Sequence, residues 1–440
     1  MRSVCIHTLG CKLNYGESSY LGRKFAEKGL QLKSFGEKSD IFVLNTCTVT
    51  SHADSECRKI IRSVLRQYPD TFVVVVGCYS QLKSEQISMI PGVDLILGSN
   101  EKYDVIKYLE KSLGKDFDKN YKKNGNKPEV YVSDIKNSDF IGEAYSADND
   151  LRTRAFLKIQ DGCDYNCAFC TIPLARGKSR SLPLPQIIEN TKRIIDAGYK
   201  EIILTGVNIG DYRSEGGLNL LSLMEQFEKL DIKRIRISSI EPNLLSDEII
   251  DFIASSDKFC KHFHIPLQSG DDEILRLMKR RYNTKMFKKV IENIKMKIPN
   301  AGIGLDVIVG FPGETEESFS NTYNFVNDLP VTYLHIFTYS ERPGTLSINY
   351  KNKVLPQIKK ERNKILSELS QNKKMKFYSD NILKTHKVLF ESRKNNIIEG
   401  WTENYIRVRS DSENLEENEI YTVLITSSNG INPVECKIIN

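Results

Sequence analysis

The 440-residue chain reads Ala155-Phe-Leu-Lys-Ile-Gln160 and, two residues later, Cys163-Asp-Tyr-Asn-Cys167-Ala-Phe-Cys170. The first run has the composition of a buried strand, and the three cysteines follow it directly. Because no rigid helix or strand keeps thiols at these spacings apart, the segment must curl and bring them to one site. Structural zinc needs a fourth Cys or His ligand nearby, and the nearest downstream histidine is His262. Three thiolates instead suit a 4Fe-4S cluster with one iron left open.

A series of strands and helices continues from this first strand. Each apolar run is followed by a stretch of helical periodicity, so six βα units fit a partial (β/α)6 barrel of TIM type. In such barrels the chemistry lies on the loops that follow the strands. A helix over Gln357–Lys376 closes this domain. The five further strands are Glu201–Thr205, Arg234–Ser238, Lys261–Ile265, Ile303–Val309 and Tyr333–Phe337.

The N-terminal part has the same alternation, which predicts a separate parallel sheet of the flavodoxin-like kind. Helical periodicity covers Tyr15–Lys28 and Ser51–Tyr68. Residues 114–149 are rich in Lys, Asn and Asp, and we expect a polar linker there with one β-like stretch, Val130–Ser133. The predicted strands of the N-terminal sheet are Val4–Thr8, Ile41–Asn45, Phe72–Gly77 and Asp94–Leu97.

The C-terminal residues, Thr385 to Asn440, contain short runs of alternating polarity that predict a small antiparallel β-barrel. Residues 351–394 carry thirteen Lys and Arg against four Asp and Glu. Such a segment is either a footprint for nucleic-acid phosphates or a solvated helix face, and composition leaves both interpretations open. The four predicted strands are Lys387–Phe390, Tyr405–Arg409, Tyr421–Ile425 and Val434–Ile439.

Composition excludes several classes of protein. With 40% hydrophobic and 27% charged residues, each domain can bury a core and the whole is expected to be soluble. No window approaches the roughly 18 consecutive apolar residues that a membrane helix needs, and the first residues lack the apolar region of a signal peptide. The net charge of +6 fits an RNA partner without requiring one. Ten cysteines in such a chain point to metal binding or catalysis rather than disulfides.

Three cysteines stand at equivalent places in the N-terminal domain. Cys11 follows the first predicted strand, and Cys47 and Cys78 end the second and third. The intervals are about one βαβ unit each, so the thiols are expected at the carboxyl edge of one sheet, where α/β folds bind ligands. Small core residues are the alternative, but equivalent placement favours a second cluster. The remaining cysteines, expected to be core or surface thiols, are Cys5, Cys57, Cys260 and Cys436.

These motifs resemble a known family. The C-x3-C-x2-C segment after the first barrel strand resembles that of the radical S-adenosylmethionine (SAM) enzymes. Within that superfamily the whole chain resembles the methylthiotransferases, which end in a TRAM-like RNA-binding barrel. The matching segments are Thr8-Leu-Gly-Cys11-Lys-Leu-Asn14, Asn45-Thr-Cys47-Thr-Val-Thr50, Gly77-Cys78, Leu174-Ala-Arg176-Gly-Lys-Ser-Arg180-Ser, Pro266-Leu-Gln268-Ser-Gly270 and Gly310-Phe-Pro-Gly-Glu314-Thr.

The resemblance implies a cytoplasmic enzyme with two 4Fe-4S clusters, which uses SAM as methyl donor and as radical source. It implies that Cys163, Cys167 and Cys170 hold the radical SAM cluster. An auxiliary, sulfur-donating cluster is implied at Cys11, Cys47 and Cys78. A low-potential electron donor such as flavodoxin or ferredoxin is expected as a partner. The implied domains are an N-terminal α/β domain (1–113), the linker (114–149), the radical SAM core (150–374) and a TRAM-like domain (375–440).

The same resemblance places SAM at the strand ends. Tight turns explain each of the glycines at least as well, and helix capping explains Ser239 nearly as well. Arg342 contacts cofactor or substrate, or pairs with Glu341. Thr205-Gly206-Val207-Asn208 lacks the Glu of the Gly-Gly-Glu-like turn that is usual in the superfamily. The expected SAM contacts are Phe169, Gly206, Asn208, Ser239, Glu241, Gln268, Gly310 and Arg342.

Two further sets of residues leave alternatives open. The basic residues after the cysteine motif, Arg176, Lys178 and Arg180, meet a carboxylate, a phosphate or substrate, or simply face solvent. His262 and His264 alternate along one strand, so both face one side, and we expect hydrogen-bonded residues of the barrel interior rather than metal ligands.

The segment Gly10-Cys11-Lys-Leu-Asn14 resembles one subgroup of the family, the enzymes that modify threonylcarbamoyladenosine in tRNA. Leu277-Met-Lys-Arg-Arg-Tyr282 leans the same way. The implied partner is the anticodon stem-loop of tRNA. The alternatives are isopentenyladenosine in tRNA, an aspartate of ribosomal protein S12, and a non-catalytic RNA-binding iron–sulfur protein.

Overall fold

The structure is a computed structural model that describes residues 2–117, 127–146, 153–427 and 433–439. Its chain divides into two compact units. The first comprises residues 1–148, 156–182 and 340–345, and the second comprises residues 149–155, 183–339 and 346–440. Parts of the predicted linker, residues 118–126 and 147–149, lie outside the described residues.

The first unit alternates strands and helices along the chain, as predicted. Every strand and helix expected in it is present, with boundaries within three residues of the predicted ones. In chain order its elements are β1 (Ser3–Thr8), α1 (Lys12–Glu27), β2 (Gln31–Lys33), β3 (Ile41–Thr46), α2 (Ser51–Gln67), β4 (Phe72–Gly77), α3 (Cys78–Ser88), β5 (Val93–Leu97), α4 (Val105–Leu113), β6 (Glu129–Tyr131), β7 (Arg154–Lys158, which begins in the second unit), β8 (Gln160–Asp161), α5 (Ile172–Arg176) and β9 (Arg180–Ser181).

A parallel sheet of six strands forms the centre of this unit, in the order β2-β1-β3-β4-β5-β6. The central strands β3 and β4 are buried along their whole length. Alternate residues of these strands pack in two separate cores, one with Phe25 of α1 and Leu109 of α4, the other with Ile61 of α2 and Ile87 of α3. Helices on both faces explain why the strands are continuous apolar runs.

The second unit contains the rest of the βα series and the C-terminal strands. In chain order its elements are α6 (Leu184–Asp196), β10 (Glu201–Thr205), β11 (Arg213–Ser214), β12 (Leu218–Asn219), α7 (Leu220–Glu228), β13 (Arg234–Ile237), α8 (Asp247–Ser255), β14 (His262–Gln268), α9 (Asp272–Leu277), α10 (Thr284–Lys297), β15 (Gly302–Val309), α11 (Glu316–Asp328), β16 (Tyr333–Thr338), α12 (Pro356–Ser379), β17 (Thr385–Lys394), β18 (Ile397–Thr402), β19 (Arg407–Ser410), β20 (Ile420–Ser427) and β21 (Val434–Ile438).

Five strands of the predicted βα series are neighbours in this unit. Strand β10 pairs with β13 in parallel, a bridge from Ser239 to His264 connects to β14, and β14, β15 and β16 form a parallel sheet. Along β14 the side chains of His262 and His264 lie on one face, whereas Phe263, Ile265 and Leu267 lie on the other and are fully buried. The arrangement confirms the predicted series and puts all five carboxyl ends at one edge.

The last five strands close a barrel in the order β17-β18-β19-β21-β20. Four of its pairings are antiparallel, but β19 and β21 are parallel, which corrects the prediction of a fully antiparallel barrel. An odd number of strands cannot close with every neighbour antiparallel. Strand β18 was not predicted, although Asn395 and Asn396, both with positive φ, form the two-residue turn that signals a hairpin.

A buried ion pair ties β10 and β13 to this barrel. The side chain of Glu201 accepts hydrogen bonds from Arg234 and, at 3.0 Å, from Arg236. The two guanidinium groups also donate to the carbonyl groups of Trp401 (3.2 Å) and Thr402 (3.1 Å). Burial raises the pKa of Glu201, but the two guanidinium groups outweigh burial and lower it to about 2.

In the part of the chain that the structure describes, no helix combines the length and the apolar character that crossing a membrane requires.

We expect Glu201→Gln to lower the free energy of unfolding by about 3–5 kcal/mol, because two buried guanidinium groups lose their carboxylate. Urea unfolding followed by the fluorescence of Trp401, the single tryptophan of the chain, measures this loss. The contribution of Glu201 is complete above its unfolded pKa of 4.5 and is lost as the pH falls towards about 2. Glu189→Gln, which breaks an exposed ion pair with Arg193, is the matched control. Equal losses for both variants would contradict the prediction.

Candidate active site

The three N-terminal cysteines lie at the carboxyl ends of adjacent strands of one sheet. Cys11 is the N-cap of α1, Cys47 follows β3, and Cys78 is the first residue of α3. Gly10 is at φ 100°, and a Cβ on it would lie 2.9 Å from the sulfur of Cys47. The backbone therefore brings the first two cysteines together, and two of the three, Cys11 and Cys78, stand at helix N-termini.

These thiols act on one another electrostatically. Burial is the main cause that raises the pKa of Cys47 to about 12, and the thiols of Cys78 and Cys11 contribute to this rise. Burial also raises the pKa of Cys78, whereas Arg176 and Lys102 lower it. A metal centre displaces the protons of such thiols when it binds, so the thiols at this sheet edge, two buried and one exposed, fit the ligand set of a cluster.

The second set of cysteines lies on a curled loop after β8. The amide of Cys170 donates to the carbonyl of Cys167 (3.1 Å), and the amide of Cys163 donates to that of Gly177 (3.1 Å). Two sulfurs also accept from backbone amides, Cys163 from Tyr165 at 3.4 Å and Cys170 from Ile172 at 3.5 Å. The predicted curl is confirmed, and all three cysteines are partly exposed.

Among the described residues, no three Cys, His, Asp or Glu side chains are grouped to hold a single metal ion. The assignment of six cysteines to two clusters therefore stays a prediction. The other four cysteines are buried, and burial raises the pKa of each thiol, which makes them core residues. They are Cys5 (pKa about 11), Cys57 (about 12), Cys260 (about 11) and Cys436 (about 12).

The basic run after the cysteine motif separates into three environments. Arg176 is buried, and its guanidinium donates to the carboxylate of Glu17 at 2.9 Å. Lys178 is exposed, and Arg180 donates to the backbone carbonyl of Ser138 at 3.2 Å. The sequence left alternatives open for these residues. Arg176 binds a carboxylate, and Lys178 faces solvent.

Several of the predicted SAM contacts lie at the strand ends of the second unit. Gln268 has φ 67°, and β14 shifts register against β15 between Pro266 and Gln268. Non-glycine residues in this left-handed region are strained, and such strain is concentrated at functional sites. Asn208 is buried, and its amide nitrogen donates to Asp211 at 2.7 Å. Gly206 follows β10 and is partly exposed, and Phe169 is half-buried in the cysteine loop.

Three other predicted contacts have partners within the protein. Glu241 is paired with Arg280. The amide of Gly310 donates to Glu314 at 2.7 Å in a turn with φ 75°, so a tight turn accounts for this glycine. Ser239 bridges to β14, and the following α-helix is capped by Ser246, so the capping explanation of Ser239 was wrong.

Two hydroxyls beside these residues were not predicted from the sequence. Thr205 ends β10 and Ser238 follows β13, and both side-chain oxygens are buried without a hydrogen-bond partner among the described residues. Buried polar atoms are nearly always satisfied, so an orphan calls for a ligand or a water. The signal was present in the sequence, because a polar residue stands at the carboxyl end of each strand, next to Gly206 and Ser239.

Arg342 lies in the first unit and is buried. Its guanidinium donates to Asp54 at 2.8 Å and to the hydroxyl of Thr48 at 2.5 Å. The ion pair of Arg342 is therefore with Asp54, and a contact with SAM stays a prediction.

The two histidines of β14 are hydrogen-bonded, as predicted. His262 bonds to the hydroxyl of Tyr333 at 3.0 Å, and His264 bonds to Asp306 at 2.8 Å. Both partners are on strands of the same parallel sheet, which fits residues of the barrel interior.

Two family models match parts of this chain. The family model of the radical SAM superfamily matches residues 157–326, and that of the uncharacterized protein family UPF0004 matches residues 3–98. The threonylcarbamoyladenosine tRNA methylthiotransferase MtaB of Bacillus subtilis (strain 168) is 37% identical, over 93% of this chain and 90% of its own. The chain belongs to the methylthiotransferase family of radical SAM enzymes. The tRNA-2-methylthio-N(6)-dimethylallyladenosine synthase of the same strain is 31% identical, over 91% of this chain and 79% of its own.

A solved structure shows the same fold as this methylthiotransferase. The radical SAM methyltransferase TsrM from Kitasatospora setae, with tryptophan substrate and a SAM analog bound, superposes with a TM-score of 0.53. The superposition covers 77% of this chain and 73% of that one at 13% identity, so the likeness is one of fold.

We expect Arg342→Met to destabilise the protein by about 3–5 kcal/mol, because it leaves the buried carboxylate of Asp54 unpaired. The double variant Arg342→Met/Asp54→Leu should recover part of this loss, since it removes both charges. Urea unfolding of the protein without cofactors measures each change. If Arg342 served only to contact a cofactor, the single variant would unfold like the parent.

Proposed function

We propose that this methylthiotransferase acts on tRNA, where it installs a methylthio group on C2 of N6-threonylcarbamoyladenosine, next to the anticodon. The observation that carries the proposal is that six cysteines lie in one compact unit, three on the loop after β8 and three at the carboxyl ends of adjacent strands of the parallel sheet. Greater identity to the relative named for this substrate than to the dimethylallyladenosine synthase supports the choice of nucleoside.

The six cysteines are proposed as the ligands of two 4Fe-4S clusters. When bound, such clusters supply the electron that starts radical chemistry from SAM and the sulfur that is transferred. The protein's part is to orient and to exclude water. The amides of Tyr165 and Ile172 orient the sulfurs of the curled loop. The buried hydroxyls of Thr205 and Ser238 and the strained Gln268 offer the polar groups that bind the amino acid and ribose parts of SAM.

The C-terminal barrel and the basic segment before it are proposed to bind the anticodon stem-loop. The lysines of α12 have different environments. Lys373 donates to the backbone carbonyl of Leu329, whereas Lys360 and Lys364 are exposed. Exposed lysines serve phosphate binding, which is sensitive to salt. We further propose that the enzyme is cytoplasmic, takes electrons from a flavodoxin or ferredoxin, and has the domain limits given above.

Analysis of the nucleosides in total tRNA tests the proposed substrate. Cells without this gene should lose 2-methylthio-N6-threonylcarbamoyladenosine and accumulate its precursor without the methylthio group, as measured by mass spectrometry. Loss of the methylthio derivative of isopentenyladenosine would favour that alternative. Unchanged tRNA nucleosides with a lighter ribosomal protein S12 would overturn the tRNA proposal.

Three cysteine variants test the assignment of the two sites. Cys163→Ala should abolish the formation of 5′-deoxyadenosine from SAM. Cys47→Ala should retain that cleavage but stop methylthiolation, because only the sulfur-donating site is lost. Cys57→Ala is the matched control, since it removes a neighbouring core thiol. Methylthiolated product at normal yield from Cys47→Ala would contradict the auxiliary role.

A further inference from the structure

A network of buried charges lies in the first unit and has no part in the function proposed so far. Its five members, which we call the Glu17 network, are Glu17, Lys102, Lys158, Asp161 and Arg176. No member's side chain is more than 9% exposed. Groups of this kind are costly to bury, so their charges must be balanced nearby.

Glu17 is at the centre of the network. Its carboxylate contacts Lys102 at 2.5 Å, Arg176 at 2.9 Å and Lys158 at 3.6 Å. Asp161 contacts Lys158 at 2.8 Å and Arg176 at 3.0 Å. The hydroxyl of Tyr103 donates to Glu17 and accepts from Lys158.

The charges of the network do not balance. Three cations, Lys102, Lys158 and Arg176, face two carboxylates, which leaves one excess positive charge among these groups. Burial lowers the pKa of Lys102, and the carboxylate of Glu17 opposes this effect. The ammonium of Lys102 lies 2.5 Å from the carboxylate of Glu17, and the cations of the network outnumber its carboxylates.

The network adjoins the edge of the sheet that carries the N-terminal cysteines. Arg176 donates to the side-chain oxygen of Asn14 at 2.6 Å. The amide nitrogen of Asn14 in turn donates to the carbonyl groups of Leu9 (2.7 Å) and Thr46 (3.0 Å), which lie just before Cys11 and Cys47. The thiol of Cys11 donates to the same side-chain oxygen of Asn14 at 3.9 Å.

We propose that the excess positive charge of the Glu17 network is the counter-charge of the auxiliary cluster and raises its reduction potential. This inference rests on the proposed function, which assigns Cys11, Cys47 and Cys78 to that cluster. Three thiolates outweigh the charge of an oxidised four-iron core, so the ligated cluster is anionic, and an added electron makes it more so. A buried cation beside it stabilises the reduced form more than the oxidised form. The members of the network are positioning and electrostatic residues, not ligands.

Lys102→Met tests the inference in the full chain, with Cys163, Cys167 and Cys170 replaced by Ala so that only the auxiliary cluster binds. A redox titration followed by electron paramagnetic resonance gives the midpoint potential. We expect a lower potential, with the ratio of reduced to oxidised cluster falling about tenfold at a fixed ambient potential, or about 59 mV for one electron. The cluster-free protein should be no less stable than its parent, because two cations then face two carboxylates.

Lys59→Met is the matched control, since it removes the same charge from the exposed side of α2. It should leave the potential unchanged. A Lys102→Met protein with the parent's potential and a weakened apo fold would overturn the inference, because that is the behaviour of a merely structural ion pair. A parent that binds no cluster at Cys11, Cys47 and Cys78 would overturn the proposed function itself, and the inference with it.

Discussion

The burial of Arg176 is the constraint on which the first unit depends. A guanidinium group cannot give up its proton, so it enters a protein interior only with carboxylates arranged around it. Glu17 of α1 and Asp161 of β8 supply them. The same residue ends α5, directly before Gly177, whose carbonyl holds the amide of Cys163. The position of the cysteine loop is thus tied to the position of α1.

The second unit also buries guanidinium groups and compensates their charge with a carboxylate. Glu201 compensates Arg234 and Arg236, and the spare donors of both guanidinium groups reach the carbonyl groups of β18. Apolar side chains of the same volume would often give equal or greater stability in such places. A buried ion pair adds conformational specificity, because only one arrangement of the neighbouring strands satisfies every donor and acceptor.

The parts of this fold that sequence predicted well are those governed by local rules. Strands β3 and β4 are continuous apolar runs because helices cover both faces, and the cysteine loop curls because its spacing allows nothing else. Arg176 shows the limit. Its environment depends on Glu17, 159 positions away in sequence, and no periodicity connects the two. The sequence-based prediction missed strand β18 for a different reason. Gly400 weakens the strand pattern of that segment, although the Asn395-Asn396 turn before it indicates a hairpin.

The two cysteine sites have the same number of thiols but very different surroundings. At the curled loop the sulfurs are partly exposed and accept hydrogen bonds from backbone amides. At the sheet edge Cys47 and Cys78 are buried, and Arg176 and Lys102 lower the pKa of Cys78 against the effect of its burial. Cluster potentials respond to burial, hydrogen bonding and net charge more than to the identity of the thiolates. A chain that gives two chemically similar centres different tasks must therefore do so through their surroundings. Burying more cations than carboxylates beside one centre changes its potential without changing any of its ligands.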